Sequence, residues 1–206
     1  MPTHQSNQLI RKLQQQTETL LNKAIQEWQM IAPEKFSQQP AEGSWSAKQC
    51  IAHLNMYGDY YLPAIEAAIL KAKQQKSRAS VQFTSGWLGN YFTNMMLPGT
   101  NEKPAKKMKA MKNYISLNNE DSDKVIAAFI DQQEKLLQLL EDATVVNLST
   151  TKVAISIAKF IKLKLGDVFM FLIAHNYRHV LQAESALNAS GVTVTENHIA
   201  EVSFAF

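Results

Sequence analysis

Apolar residues recur at helical spacing in four separate stretches of this 206-residue chain. The first stretch runs from Leu9 to Ile31, and Pro33 is expected to end it. The other three stretches span residues 46–69, from 119 or 122 to 142, and 166–189. Each of them is long enough to bury one face against a neighbouring helix. The pattern therefore predicts an all-α fold in which four long helices share a core.

Local signals set the ends of the predicted helices. Ser46 followed by Gln49 matches a capping box, which predicts a helix start. Pro63 lies inside the same apolar run and removes one backbone hydrogen bond, so a kink is expected near Asp59. Gly191 is expected to stop the last helix, because glycine readily adopts the left-handed conformation that ends many helices.

The connections between the helices are less regular. The segment from Ser37 to Gly43 is expected to be a polar loop. Two long connections, Ser77–Leu117 and Ala143–Leu165, show no firm periodicity, and such lengths in one domain are typical of crossovers or of functional segments. The tail Val192–Phe206 alternates weakly, at Val192 and Val194, and is expected to pack in an extended form. We therefore predict one domain over residues 1–206, a four-helix bundle with long crossover connections.

Composition excludes few classes of protein. The hydrophobic share of 46% and charged share of 19% are ordinary for a globular protein. No apolar run approaches the roughly 20 residues that cross a membrane, and the polar N-terminus lacks a signal-peptide core. A single cysteine, Cys50, cannot form an internal disulfide, so a reducing cytoplasm is expected. The net charge of +3 is too small to indicate nucleic acid.

Three of the five histidines are candidate metal ligands. His175 and His179 are four residues apart on a nearly all-apolar helix, so their rings share one face. His53 lies among apolar residues of another predicted helix. Buried histidines are costly unless something binds them, although two histidines at this spacing also occur on ordinary surfaces. His4 and His198 lie in terminal segments and are expected to be solvated.

Two motifs make the chain recognisable. Trp45-Ser46-Ala47-Lys48-Gln49, leading to His53-Leu54, resembles the second-helix signature of the DinB-like family (DinB/YfiT-like metalloenzymes). The segment from His175 to Gln182, HNYRHVLQ, resembles its last-helix signature, with Gly166-Asp167 opening that helix. The lysine-rich stretch from Lys103 to Lys109 resembles the family's central connection. The resemblance extends from about residue 35 to residue 185.

This resemblance implies the fold and the site together. It implies a four-helix bundle of the DinB/YfiT type, often a homodimer, with one metal ion on His53, His175 and His179. Relatives with known activity are metal-dependent transferases or isomerases that use low-molecular-weight thiols, and many members have no assigned reaction. Imidazole ligands suit zinc, nickel, copper or iron, and zinc or nickel is the expected ion.

Neighbouring residues supply candidates for supporting roles. Gln49, Gln182 and, less favourably, Tyr57 are candidates to orient the ligand histidines, although a capping or core-edge role fits each of them equally well. Cys50 is a weak candidate for a fourth ligand or nucleophile, since a lone cysteine is more often a small buried hydrophobe.

Two functions remain open from the sequence. The first is a metal-dependent transferase or hydrolase acting on a small molecule, with a low-molecular-weight thiol as possible partner. The second is a non-catalytic stress-response or binding protein whose metal is structural or vestigial. Nucleic-acid binding through the lysines from Lys103 to Lys112 has the least support, because one basic loop without interleaved aromatic residues is a poor footprint.

Overall fold

The computed structural model describes residues 1–97, 121–193 and 203–204. These residues are predominantly helical, as predicted. The helices are α1 (Ser6–Gln26), α2 (Pro33–Ser37), α3 (Ala47–Gln74), α4 (Trp87–Met96), α5 (Ser122–Asp142) and α6 (Leu165–Ala189). The strands are β1 (Thr3–Gln5), β2 (Gln82–Thr84), β3 (Lys152–Ile155) and β4 (Ala158–Lys164).

The four long helices meet around one continuous apolar core. Helices α1 and α3 each pack against both α5 and α6. Trp28, just after α1, is fully buried there, with its ring 5.5 Å from that of Phe129 and 6.0 Å from that of Phe36. Burying large side chains of this kind contributes roughly 1.5–3 kcal/mol each. The apolar stripes seen in the sequence are therefore what holds the helices together.

Helix α3 begins with the predicted capping box. The amide of Gln49 donates to Ser46 Oγ over 3.2 Å, and the amide of Ser46 donates to Gln49 Oε1 over 2.9 Å. The two side chains thus satisfy two backbone donors that the first turn leaves without helical partners. The helix continues through Pro63 to Gln74, and the kink near Asp59 stays a prediction.

Helix α6 is the most buried element described. Every residue from 165 to 180 is buried, so this helix has no solvent-facing side over that length. Gly191, with φ of 77°, ends it as predicted. The amide of Val192 donates to the Leu187 carbonyl over 3.0 Å, and that of Gly191 donates to the Asn188 carbonyl over 3.1 Å. This pair of hydrogen bonds is the Schellman arrangement, which satisfies carbonyls at the helix end.

The helix predicted from Leu9 to Ile31 ends earlier in the structure than expected. Helix α1 stops at Gln26, a 3-10 turn follows at Trp28–Met30, and Pro33 opens the short helix α2 instead of only following a helix. Proline suits this position because the first helical residue needs no amide hydrogen bond. Ser37, expected in a loop, is the last residue of α2.

Two antiparallel strand pairs occupy regions that the periodicity left unassigned. Strand β1 pairs with β2, and β3 forms a hairpin with β4 that contains an irregularity between Ala154 and Ile155. The first pair corrects the expectation for His4, which is half-buried in β1 and stacks on Phe83 with ring centroids 6.3 Å apart.

Several predictions fall outside the described residues. These are the lysines from Lys103 to Lys112, Asn119 as a helix start, Val194 in the tail, and His198. In the part of the chain that the structure describes, no helix has both the length and the apolar character needed to span a membrane.

Helix α4 is fixed along α6 at both of its ends. At the start of α4, the Asp167 carboxylate accepts hydrogen bonds from Ser85 Oγ and from the Gly86 amide, the latter over 3.0 Å. At its end, Arg178 Nη1 donates to the Met95 carbonyl over 3.2 Å. Between these points Gly89 lies so close that a β-carbon there would be 2.3 Å from Asp167 Cγ. Charged side chains of α6 therefore set the position of α4.

Replacing Gly89 by Ala should destabilise the protein, contrary to the usual effect of this change within a helix. An added β-carbon must displace Asp167, and such overpacking costs about 1–3 kcal/mol, more than the roughly 0.5–1 kcal/mol that alanine normally gains over glycine. Urea unfolding measures the difference. Asn94→Ala, on an exposed position of the same helix, is the control and should change the free energy of unfolding little. An increased stability of Gly89→Ala would show that Gly89 and Asp167 are not in such close contact.

Candidate metal centre

The three predicted ligand histidines converge between α3 and α6. One ring nitrogen from each of His53, His175 and His179 lies within 4.8 Å of the others. The ring centroids are 5.2 Å apart for His53 and His175, 4.6 Å for His53 and His179, and 4.7 Å for His175 and His179. We name this group the histidine triad.

The convergence follows from the two helices that carry the rings. The capping box fixes where α3 starts, and His53 follows Ser46 by seven residues, which is two turns. His175 and His179 are one turn apart on the face of α6 that packs against α3. The exposed fractions of the three residues are 5%, 3% and 9%, so little of the triad reaches the solvent.

Aromatic rings surround the triad. Trp45 lies 5.1 Å from His53 and 5.9 Å from His179, measured between ring centroids. Tyr57 lies 5.1 Å from His53 and 4.3 Å from His175, and Phe171 stacks on His175 at 5.8 Å. The histidines are therefore held in an apolar setting.

Trp45 and Phe171 also belong to the site, although neither was predicted as part of it. A usable signal was present, because Phe171 precedes His175 by four residues and therefore shares its helix face. Trp45 precedes the capping residue directly, and only the fold shows that this position turns back over two histidines.

Burial makes the triad neutral over a wide pH range. Desolvation lowers the pKa of His53 to about 4. The pKa of His179 is lowered to about 3, first by desolvation and then by the nearby charges of His53 and Arg178. The pKa of His175 is also well below its ordinary value, mainly through desolvation and then through the other two imidazoles. A neutral imidazole retains the lone pair that a metal ion needs.

Gln182, one of the residues predicted to orient the ligand histidines, contacts the triad. Its Oε1 lies 2.9 Å from His179 Nδ1. The oxygen can only accept, so Nδ1 carries the proton in this contact, and the lone pair of His179 is then on Nε2. Gln49 uses its side-chain oxygen for the capping box, and Tyr57 packs on two of the rings.

Cys50 does not belong to the converging group. It is fully buried, and the group of ligand atoms found among the described residues contains histidines only. Desolvation raises the pKa of its thiol far above the ordinary range, which disfavours the thiolate that a ligand or nucleophile requires. The structure favours its role as a small buried hydrophobe.

The residues fit a metal ion by two criteria. His175 Nδ1 is buried without a hydrogen-bond partner in the described part of the chain, and such a polar atom is costly unless something binds nearby and fixes the ring. In a tetrahedral site with metal–nitrogen distances near 2.0–2.1 Å, ligand nitrogens lie about 3.3 Å apart. The ring nitrogens lie within 4.8 Å of one another, so the rings would have to move closer together to reach that spacing.

Comparison with known proteins places these residues in a family context. A family model described as the DinB superfamily matches residues 11–183, which include all three histidines and most of the chain. No curated protein and no solved structure shows a significant match.

The metal-free protein should lose stability as the pH falls below about 6.5, because the triad resists protonation when folded. Above that pH the histidines are neutral in both states and contribute nothing. Between 6.5 and the lowered values near 4 and 3, the unfolded chain binds protons that the folded chain does not. Each histidine then removes up to about 1.4 kcal/mol of stability per pH unit.

Urea unfolding in chelator at pH 7, 6, 5 and 4.5 measures this slope. His53→Gln, which cannot titrate, should show a shallower fall than the wild type, and His4→Gln, at a half-buried site outside the triad, should lie closer to the wild type. An unchanged slope in His53→Gln would mean that this imidazole protonates freely in the folded protein.

Proposed function

The chain belongs to the DinB superfamily, and on that premise we propose that it binds one divalent metal ion on His53, His175 and His179 and acts on a small molecule. The observation that carries the proposal is the convergence of the three buried rings. Around this centre we propose the four-helix bundle of the DinB/YfiT type, formed by α1, α3, α5 and α6, and a homodimer in solution.

The ligand set favours chemistry over a structural role. Structural zinc sites are closed by four protein ligands, whereas catalytic sites have three and leave a position open. The histidine triad supplies three nitrogen donors and, among the described residues, no further histidine, cysteine or carboxylate joins the group. A bound ion would supply an electrophile at that open position and lower the pKa of a bound thiol or water.

The chain's own residues perform three tasks in this proposal. Gln182 fixes the tautomer and the direction of the His179 ring through its 2.9 Å contact. Trp45 and Tyr57 pack against the rings and exclude water from them. Zinc and nickel both suit such a site. The proposed reaction is a group transfer or a hydrolysis, with a low-molecular-weight thiol as the proposed partner.

His179→Ala should abolish tight metal binding. Two remaining imidazoles hold a divalent ion far more weakly than three, and the alanine also removes the ligand that Gln182 orients. Metal content after loading and gel filtration is the measurement, with circular dichroism to verify folding. His4→Ala, which removes a histidine outside the triad, should retain one ion per chain. Stoichiometric metal in His179→Ala would show that the ligands are misassigned.

Removal of the metal should leave the protein folded, with a modest fall in melting temperature. The apolar core contains large, fully buried side chains from all four long helices, so the fold does not depend on an ion as small zinc modules do. Circular dichroism before and after chelation tests this. Collapse of helicity on chelation would make the ion structural, and the non-catalytic alternative would then replace the enzyme proposal.

A further inference from the structure

We propose that the β3–β4 hairpin and the exposed side of α4 together bind the surface of an anionic lipid membrane. We name this region the hairpin surface, and it consists of Trp87, Tyr91, Lys152, Ile157, Phe160 and Lys162. The inference goes beyond the proposed function and does not depend on the metal centre. A protein that lies on a bilayer in this way needs no membrane-spanning helix.

The apolar members of the hairpin surface face the solvent. Phe160 is 87% exposed, and Ile157, in the turn of the hairpin, is exposed as well. On α4, Trp87 is 70% exposed and stacks on the exposed Tyr91 one turn later, with ring centroids 6.2 Å apart. Scattered apolar residues are ordinary on a protein surface, whereas a contiguous group of large ones marks an interaction site.

The irregularity of the hairpin accounts for the exposure of Phe160. Residues 159–161 of β4 lie opposite no residue of β3, because the pairing passes directly from Ala158 to Lys162. Extra residues of this kind bend a strand and re-aim a side chain. The core-facing side of the hairpin is supplied by other apolar residues, namely Val153, Ile155 and Leu163. The packing of the core therefore does not explain an aromatic side chain at position 160.

Lys164 connects the hairpin to the start of α4. Its Nζ donates to the Thr84 carbonyl over 2.7 Å, and a β-carbon on Gly86 would lie 3.8 Å from its Cε. Gly86 directly precedes Trp87. Side chains alternate along a strand, so Lys162 lies on the same face of β4 as Lys164. The outer face of the hairpin and the exposed side of α4 are therefore adjacent.

The charge of this region is predominantly of one sign. Segments 77–97 and 143–166, which contain α4 and the hairpin, include lysine and arginine but none of the 18 acidic residues of the chain. Asp167, just outside them, is buried and supplies one negative charge against several positive ones. Lys152 and Lys164 lie opposite each other across the hairpin, and like charges in that position repel. An anionic partner relieves this repulsion.

A lipid surface matches this combination better than other partners do. A two-fold contact with a second copy would place the same basic patch against itself. Single-stranded nucleic acid binds by stacking on flat rings, and the aliphatic Ile157 offers no such face. At a bilayer, Ile157 and Phe160 would enter the acyl boundary, while indole and phenol rings suit the headgroup level. The lysines would then meet anionic headgroups.

Sedimentation of the full chain with lipid vesicles is the test. Vesicles of equal parts phosphatidylserine and phosphatidylcholine should bind it at least about tenfold more tightly than vesicles of phosphatidylcholine alone, because several lysines act together. Raising the salt from about 0.1 M to about 1 M should remove most of this difference, since it shortens the screening length. The tryptophan emission should shift to the blue on binding, and Trp87→Phe should bind without that shift.

A variant of Phe160 tests the apolar contribution. Phe160→Gln should bind the mixed vesicles at least about tenfold more weakly, because an aromatic ring no longer enters the lipid. Met30→Gln removes an exposed apolar side chain outside the hairpin surface, and it should bind as the wild type does. Both positions are exposed, so both variants should fold, which circular dichroism verifies.

A double variant tests the charge. Lys152→Gln combined with Lys162→Gln should lower the affinity for the mixed vesicles about tenfold or more and leave that for phosphatidylcholine within about twofold. Arg11→Gln combined with Lys124→Gln removes the same charge from exposed positions on α1 and α5 and should behave as the wild type.

Each contrary outcome has a distinct meaning. Equal binding to both kinds of vesicle, or binding to neither, would overturn the proposal. Oligothymidylate binding would then assign the surface to nucleic acid, and self-association lost in Phe160→Gln would assign it to a second copy. Vesicle binding unaffected by Phe160→Gln and by the double lysine variant would place the contact elsewhere on the protein. Binding without a shift in tryptophan emission would overturn the part assigned to α4.

Discussion

The complete burial of helix α6 is the constraint on which the rest of the structure depends. Every residue from 165 to 180 is buried, so each polar side chain in this stretch needs a partner inside the protein. Ser85 and Gly86 donate hydrogen bonds to Asp167, and Arg178 donates one to the Met95 carbonyl. Asn176 donates to Gln133 over 3.0 Å, and His179 contacts Gln182 in the next turn. Within this stretch, Nδ1 of His175 is the described side-chain atom left without a hydrogen bond. That atom belongs to one of the three histidines whose convergence supports the metal proposal.

The same constraint separates the scaffold from the site. Lys23 on α1, with a fully buried side chain, lies 2.7 Å from Glu184 on α6 and fixes these two helices at the end beyond the triad. Breaking a buried ion pair of this kind by removing one partner costs about 3–5 kcal/mol. Together with the core around Trp28, the pair holds the helices in register without using a triad residue. The triad is thus an addition to a frame that is stabilised elsewhere, and the histidines can meet a ligand without carrying the fold.

Sequence reasoning succeeded where the determining forces are local. Helical periodicity, the capping box at Ser46 and the glycine stop at Gly191 are settled by neighbours in the chain, and each was predicted. The convergence of the histidines was expected chiefly from the family resemblance, since the residues alone left an ordinary surface role open for His175 and His179. The pairing of β1 with β2 was not, because it joins Thr3 to Thr84 and no local pattern specifies such a partner. The half-buried state of His4 depends on that pairing, and the docking of α4 likewise depends on a distant carboxylate, that of Asp167.

The electrostatics of the triad also bear on which nucleophile suits it. Desolvation, followed by the charges of the neighbouring imidazoles and of Arg178, holds the pKa of His175 and of His179 below the ordinary value, so neither imidazole suits the role of general base near neutral pH. A nucleophile that loses its proton readily is then favoured. A free thiol has a pKa near 8.5, whereas bulk water has one near 15.7. Beside a bound divalent ion, with no carboxylate in the converging group of described residues, a thiol would reach its anionic form with much less help than water would. The apolar walls reinforce the difference, because they exclude water while accommodating a polarisable sulfur. Within the proposed function, we therefore propose thiol transfer rather than hydrolysis.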